Sequence, residues 1–124
     1  MLTGPKLQKE LPEILLKFQQ RPIALGADIE AMFSRIRLTK DDARYHIFLM
    51  TDPETGKVEV FQMYVLTSGD GASPFVAMTT LHQTAEDYGS TDQREIATIW
   101  EIFYMDDYLD SFDSPRKLSG WEGR

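Results

Sequence analysis

The chain contains no cysteine, only two histidines and few basic residues for its length of 124. Without cysteine there is no disulfide framework and no thiolate metal site, so the default expectation is an intracellular, cytoplasmic setting. No stretch is apolar over the length that spans a bilayer, so we expect no membrane partner. Thirteen Lys and Arg stand against 20 Asp and Glu, which gives a net charge of −7. An autonomous nucleic-acid binder usually carries the opposite sign, because neutralising phosphates supplies much of its affinity.

The rest of the composition is typical of one globular domain. Hydrophobic residues make up 42% and charged residues 27% of the chain, and its length suffices for a single core. We expect the domain to span residues 1–112. Residues 113–124 are polar and include Pro115 and Gly120, so we expect them to form a frayed tail.

Helical spacing of apolar residues predicts three helices. The first would span 5–19, begin after a Thr3 cap and be kinked or split in two at Pro12. The second would span 73–88 with Ser73 as its cap, and the third would span 92–100.

Alternating apolar residues predict a strand over 23–27 that ends at Asp28. Two further strands, over 45–50 and 58–66, flank a turn-forming segment at 52–57 and should form an antiparallel hairpin.

Asp106 and Asp107 stand between two short runs rich in aromatic and β-branched residues. This pattern predicts a tight hairpin over 104–109 with both acids at or beside its turn. Because side chains alternate along a strand, we expect Tyr104 and Asp106 to share one face and Met105 and Asp107 the other. Asp106 would then be the acid that points at a site. The plainer alternative is that both acids are ordinary solvated turn residues.

Asp28 and Asp106 lie 78 positions apart (106 − 28), so only folding can bring them together. If their strands are neighbours in one sheet, the carboxylates converge and repel one another unless a cation neutralises them. Mg²⁺ prefers such oxygen ligands and shares its octahedral shell with substrate phosphates. Two such ions can activate an attacking hydroxyl and stabilise a leaving pyrophosphate oxygen.

Four motifs stand in order along the chain: Leu2–Pro5, Ala27–Phe33, Gly69–Phe75 and Tyr104–Asp107. In this order and spacing they resemble a reverse transcriptase palm, and the flanking residues are most similar to the BEL/Pao group of LTR retrotransposons. The resemblance implies an α+β fold, a ferredoxin-like antiparallel sheet with helices on one face. The chain would be a partial reverse transcriptase, a palm segment with part of the fingers and without a thumb.

The resemblance also implies a function, RNA-directed DNA polymerase activity that transfers a nucleotidyl group to a primer 3′-hydroxyl within a retroelement polyprotein. The partners would be an RNA or DNA template with its primer and a dNTP, inside a retroelement particle. The cofactors would be two Mg²⁺ ions, for which Mn²⁺ can substitute.

The resemblance assigns roles to individual residues. Asp28, Asp106 and Asp107 would be catalytic and would bind metal, together with the backbone carbonyl of Ile29. Phe33 would exclude a ribose 2′-hydroxyl by contact. The other nucleotide-binding residues would be Gly69, Ser73, Pro74, Tyr104 and Met105.

Two other readings stay open. The chain departs from the family at Ser68, where an aromatic residue is usual, and at Asp70, which adds a negative charge near the expected triphosphate. A truncated palm that no longer catalyses and acts as a binding or structural module would explain the acidic balance. A nucleotidyl cyclase can use a similar acidic palm, but the order of the motifs speaks against it. We expect no primer extension by the isolated chain, because it lacks the basic groups that hold the substrate.

Overall fold

The computed structural model describes residues 2–89 and 93–115 as a mixed α+β fold. In chain order its elements are α1 (Leu11–Phe18), β1 (Ile23–Asp28), a 3₁₀ turn (Phe33–Arg35), α2 (Lys40–Ala43), β2 (Ile47–Thr51), β3 (Val58–Gln62), α3 (Ser73–Tyr88), α4 (Gln93–Ile102), β4 (Phe103–Tyr104) and β5 (Asp107–Phe112). The α+β expectation is therefore confirmed. Most of the expected tail, residues 116–124, lies outside the described part of the chain.

The described strands form two antiparallel sheets. One has the order β1-β5-β4, with Ile23 opposite Phe112 and Asp28 opposite Asp107. The expectation that the Asp28 strand lies beside the 104–109 hairpin is thus confirmed. The other sheet is the β2–β3 hairpin, in which Ile47 lies opposite Gln62. The antiparallel hairpin predicted around 52–57 is confirmed, but its second strand ends at Gln62 rather than at residue 66.

The first helix is shorter than expected. It begins at Leu11 rather than at residue 5, and Glu10 is its N-cap residue. Pro12 lies in the first turn, where its missing N–H would have no partner within the helix in any case. The prediction of a helix that begins after Thr3 and is kinked or split in two at Pro12 is therefore wrong, because residues 5–10 are not helical and Pro12 lies at the helix start.

Ser73 is not the cap of α3. Ala72 occupies the N-cap position, and the fully buried Ser73 hydroxyl donates a hydrogen bond to the Thr67 carbonyl at 2.5 Å. Pro74 in the first turn marks the helix start, as expected. The third predicted helix is α4, which runs on to Ile102; its expected first residue, Asp92, lies outside the described residues.

Helices contact the three-stranded sheet from both sides. The Ser111 hydroxyl donates to the Lys17 carbonyl of α1 at 2.8 Å, whereas Tyr108 borders a small cavity with Ile96 and Ile99 of α4. Residues three apart on a strand point to opposite faces. The expectation that the helices cover one face is therefore wrong, and α3 packs mainly on α4 rather than on the sheet.

A buried apolar cluster lies under the turn that follows β1. Met32, Leu66 and Ala77 are buried together, and partly buried apolar side chains, among them Phe33 and Leu38, pack around them. This cluster joins the segment after β1 to α3. Among the described residues no helix is long and apolar enough to cross a membrane.

Candidate functional site

Asp28 and Asp107 face each other across β1 and β5. The Ile29 N–H donates to the Asp106 carbonyl at 2.8 Å, one step beyond this pair. That bond makes Asp28 and Asp107 a non-hydrogen-bonded pair, the kind in which opposite Cα atoms approach to about 4.5 Å. Directly opposite residues share a face, so two exposed carboxylates lie side by side on one side of the sheet.

Met105 and Asp106 form a two-residue turn between β4 and β5, because Tyr104 pairs with Asp107. Met105 has φ +57°, which is uncommon for a residue other than glycine but is found in tight hairpin turns. The turn interrupts the alternation of side chains. Our prediction that Tyr104 shares a face with Asp106 is therefore wrong, since Tyr104 lies opposite Asp107 on the same face.

The three acids meet at one corner of the sheet without forming a closed metal site. Asp28 and Asp107 face each other, and the half-buried Asp106 lies in the adjoining turn. Among the described residues, no three His, Cys, Asp or Glu side chains are grouped closely enough to hold an ion. The Ile29 carbonyl already accepts a bond from the Met32 N–H at 3.2 Å. Carboxylate oxygens suit Mg²⁺ chemically. The structure, however, provides only the facing pair of Asp28 and Asp107, with Asp106 next to it in the turn.

Phe33 stands just beyond the acidic corner, in the 3₁₀ turn. Its side chain is half-buried and packs on the cluster of Met32, Leu66 and Ala77, so the ring is held by the core. The chain reaches this position through Ala31, which has φ +53°. The Arg35 guanidinium braces the same turn by donating to the Glu30 carbonyl at 2.7 Å. Nothing in the sequence signals the left-handed conformation of Ala31.

Three other predicted nucleotide-binding residues lie in or next to the loop before α3, and the structure exposes two of them and buries the third. Gly69 has φ +101°, a conformation that favours glycine, and both Gly69 and Pro74 are exposed. Ser73 instead is fully buried and its hydroxyl donates to the Thr67 carbonyl, so that donor is already used within the fold. An added Cβ at Gly71 would lie 3.2 Å from the Thr3 methyl group, which places the N-terminal segment against this loop.

Tyr108 is a residue that the sequence reasoning did not single out. It is buried beside the hairpin turn, its ring lies 5.4 Å from that of Phe103, and its hydroxyl donates to Asp110 at 3.1 Å. Burial, together with the Asp110 carboxylate, raises the pKa of Tyr108 well above its ordinary value. A neutral tyrosine thus anchors β5 directly after Asp107.

Comparison with known proteins adds nothing to these observations: no protein-family model matches the chain, and no curated protein matches it. The features that bear on function are therefore the motifs and the corner formed by Asp28, Asp106 and Asp107. Those three residues are joined by strand register and by one backbone hydrogen bond.

Proposed function

We propose that the chain is the palm segment of an RNA-directed DNA polymerase, of the kind found in BEL/Pao retrotransposons. The observation that carries the proposal is the cross-strand pair of Asp28 and Asp107 beside the turn that contains Asp106. Two acids that are 79 positions apart in sequence (107 − 28) lie opposite each other although like charges in such pairs destabilise a sheet. A site that binds a cation explains this arrangement.

In this function the acidic corner positions the reacting groups. When bound, two divalent ions would neutralise the carboxylates, activate the primer hydroxyl and stabilise the leaving pyrophosphate. Asp28 and Asp107 would hold the metal from one face, with Asp106 from the turn and the Ile29 carbonyl as further donors. The Ile29–Asp106 hydrogen bond fixes the two chain segments relative to each other.

Phe33 and the 69–74 loop would select the nucleotide. The Phe33 ring rests on a buried cluster, so it can exclude a 2′-hydroxyl by contact rather than yield to it. Gly69 and Pro74 present an exposed surface with little side-chain bulk beside it. Tyr104 and Met105 would contact the nucleotide or the primer end from the hairpin. Tyr104 would do so on the same side of the sheet as Asp107, which it pairs with.

The test is binding of dTTP with Mg²⁺ to the folded chain, followed by amide chemical shifts. We expect weak, magnesium-dependent shifts around residues 28–33 and 104–107. Asp28→Asn and Asp107→Asn should remove them, whereas Glu59→Gln, an exposed carboxylate on β3 opposite Met50, should not. Phe33→Ala should let UTP bind about as well as dTTP. Shifts that are absent, or that persist in both Asp variants, would contradict the proposal.

A second candidate is a palm that has lost catalysis and serves as a binding module. The observation that favours it is the β2–β3 hairpin, whose Ile47, Leu49, Val58 and Val60 side chains are all more than half exposed. An exposed apolar face of this kind is typical of a surface that another protein covers. In that case the fold would bind neither Mg²⁺ nor nucleotide in the titration above.

A further inference from the structure

A cavity of about 680 Å³ lies between segment 36–38, the start of β2 and the N-terminal end of α3. Its volume is within the range of about 300–1,000 Å³ that is usual for small-molecule sites. Ile36, Leu38, Leu66 and Val76 supply an apolar floor. None of the three acids at the β1–β5 corner lines it, whereas Asp70, Ala72 and Ser73 do, so the cavity adjoins the loop before α3 rather than the acidic corner.

Asp70 brings an unsatisfied acceptor to the wall of this cavity. Its Oδ2 atom is buried and lies 2.9 Å from Nδ1 of His46, but it accepts no hydrogen bond. The His46 side chain is 9% exposed and the Asp70 side chain is 35% exposed, so Oδ2 is buried while the rest of the carboxylate is accessible. A buried carboxylate oxygen without a donor is costly, and a ligand N–H would remove that cost.

The other charged groups at the cavity do not change its preference. Arg37 and Asp42 both line it and are both exposed, and their opposite charges offset each other. Asp42 is also engaged, because its carboxylate accepts from the Thr39 hydroxyl at 2.6 Å. The Asp70 carboxylate therefore decides which charge a ligand should carry.

We infer that the cavity binds a small organic ammonium compound with an aromatic or branched apolar body. The body occupies the floor formed by Ile36, Leu38 and Val76, and the charged nitrogen donates a hydrogen bond to Asp70. A charge-assisted bond of this kind, formed away from water, is stronger than one between neutral groups. An anionic compound of the same shape meets the Asp70 carboxylate instead and is excluded.

Tryptamine is a suitable probe, since it joins an indole ring to an ammonium group. The titration uses the ¹⁵N-labelled chain at pH 8. We expect amide shifts at Leu38, Leu66 and Val76. Indole-3-propionate, which carries a carboxylate on the same ring, should give none. Absence of shifts with tryptamine, or equal binding of both compounds, would overturn the inference.

Two variants test the assigned residues. Asp70→Asn keeps the shape of the side chain and removes its charge, so tryptamine affinity should fall about tenfold or more. Ala72→Phe places a ring at the cavity wall and should abolish binding. Glu59→Gln, remote on the β2–β3 hairpin, should leave affinity unchanged. Unaltered affinity in Asp70→Asn would refute the role of the carboxylate, even if Ala72→Phe failed to fold.

Discussion

Asp107 is the residue at which charge repulsion and metal binding can be measured together. Like charges directly opposite in a sheet cost about 0.2–1 kcal/mol, so Asp107→Asn should raise the metal-free melting temperature by up to a few degrees. If the site binds Mn²⁺ at about millimolar strength, about 10 mM should stabilise the wild type by on the order of 1 kcal/mol. Asp107→Asn should lose that stabilisation.

Glu59→Gln is the matched control for this comparison, because it also removes one exposed strand carboxylate. It lies opposite Met50 rather than another acid, so its metal-free melting temperature should change little. Calorimetry at matched ionic strength gives the melting temperatures of the wild type, Asp107→Asn and Glu59→Gln with and without Mn²⁺. If Asp107→Asn and the wild type gain equally from Mn²⁺, the facing acids do not form a metal site.

His82 should make stability depend on pH. It is 4% exposed, its ring centroid lies 3.5 Å from that of Trp100, and neither ring nitrogen has a hydrogen-bond partner. Burial lowers the pKa of His82 below its ordinary value of 6.5, and the nearby Glu86 only partly opposes this shift.

The unfolded chain then binds a proton at a higher pH than the folded chain does. The stability that His82 contributes is therefore complete above about pH 6.5 and is lost as pH falls from there toward the lower folded value. His82→Phe keeps an aromatic ring against Trp100 and should flatten this part of the profile. Urea midpoints between about pH 7.5 and 5 measure it, and parallel profiles for the two proteins would show that His82 is not responsible.

Gly4 should hold the N-terminal segment against α3. Gly4 has φ +73°, and an added Cβ would lie 2.7 Å from Cγ of Phe75. Gly4→Ala should therefore detach residues 2–8 and speed tryptic cleavage after Lys6. Gly56 has a similar φ of +69°, but an added Cβ would meet no atom within 4 Å. Gly56→Ala should therefore cost only the backbone strain, about 1–2 kcal/mol, and should not speed cleavage after Lys6. Equal cleavage rates in both variants would contradict this contact.

At the scale of elements, the sequence predicts strands better than their ends and faces. The Ile23, Leu25 and Ala27 alternation and the turn composition at 52–57 identify β1 and the β2–β3 hairpin, because both signals are local. The start of α1 is predicted wrongly because the sequence does not show where Pro12 lies in the helix. Proline fits the first turn of a helix but interrupts its interior. The Ser73 hydroxyl also fits a cap, but tertiary packing turns it toward Thr67 instead.

The facing of Asp28 and Asp107 shows what local reasoning cannot supply. Alternation holds only along an unbroken strand, and the left-handed Met105 reverses the chain within two residues. The sequence places three acids on neighbouring strands, whereas the identity of the opposite pair depends on cross-strand register. The cavity beside Asp70 and His46 is also invisible in the sequence, because these two residues are 24 positions apart in unrelated segments (70 − 46).

The β2–β3 turn depends on Asp52. Its carboxylate accepts bonds from the Glu54 N–H at 2.8 Å and the Thr55 hydroxyl at 2.7 Å. The Thr55 hydroxyl and then the Glu54 N–H lower the pKa of Asp52. Asp52→Ala should therefore speed amide hydrogen exchange at Glu54 and Gly56. Glu54→Ala, which leaves the Asp52 acceptor in place, should not; equal exchange in both would assign the turn to backbone bonds alone.

At the scale of the whole molecule, the β2–β3 hairpin is the part least supported by the rest. Its apolar side chains include Leu49, which is 66% exposed, and Val60, which is 69% exposed. The chain that follows β3 is held by backbone links, such as the Leu38 N–H to the Tyr64 carbonyl at 2.9 Å, but Tyr64 lies beyond the end of β3 at Gln62. By contrast, β5 lies between two strands and carries the buried Tyr108 and Ser111.

This difference predicts two steps of opening rather than one. A two-stranded hairpin with little buried apolar area is only marginally stable, so β2 and β3 should open at a lower free energy than β1 and β5. Native-state hydrogen exchange at rising denaturant measures the opening free energy of each amide. The amides of 47–51 and 58–62 should exchange through an opening of low free energy, and those of 107–112 should exchange last. Leu49→Lys should leave both steps unchanged, because that side chain is already exposed. If all strands exchange with one free energy, the hairpin is integral to the core and the separation inferred from its exposed side chains is wrong.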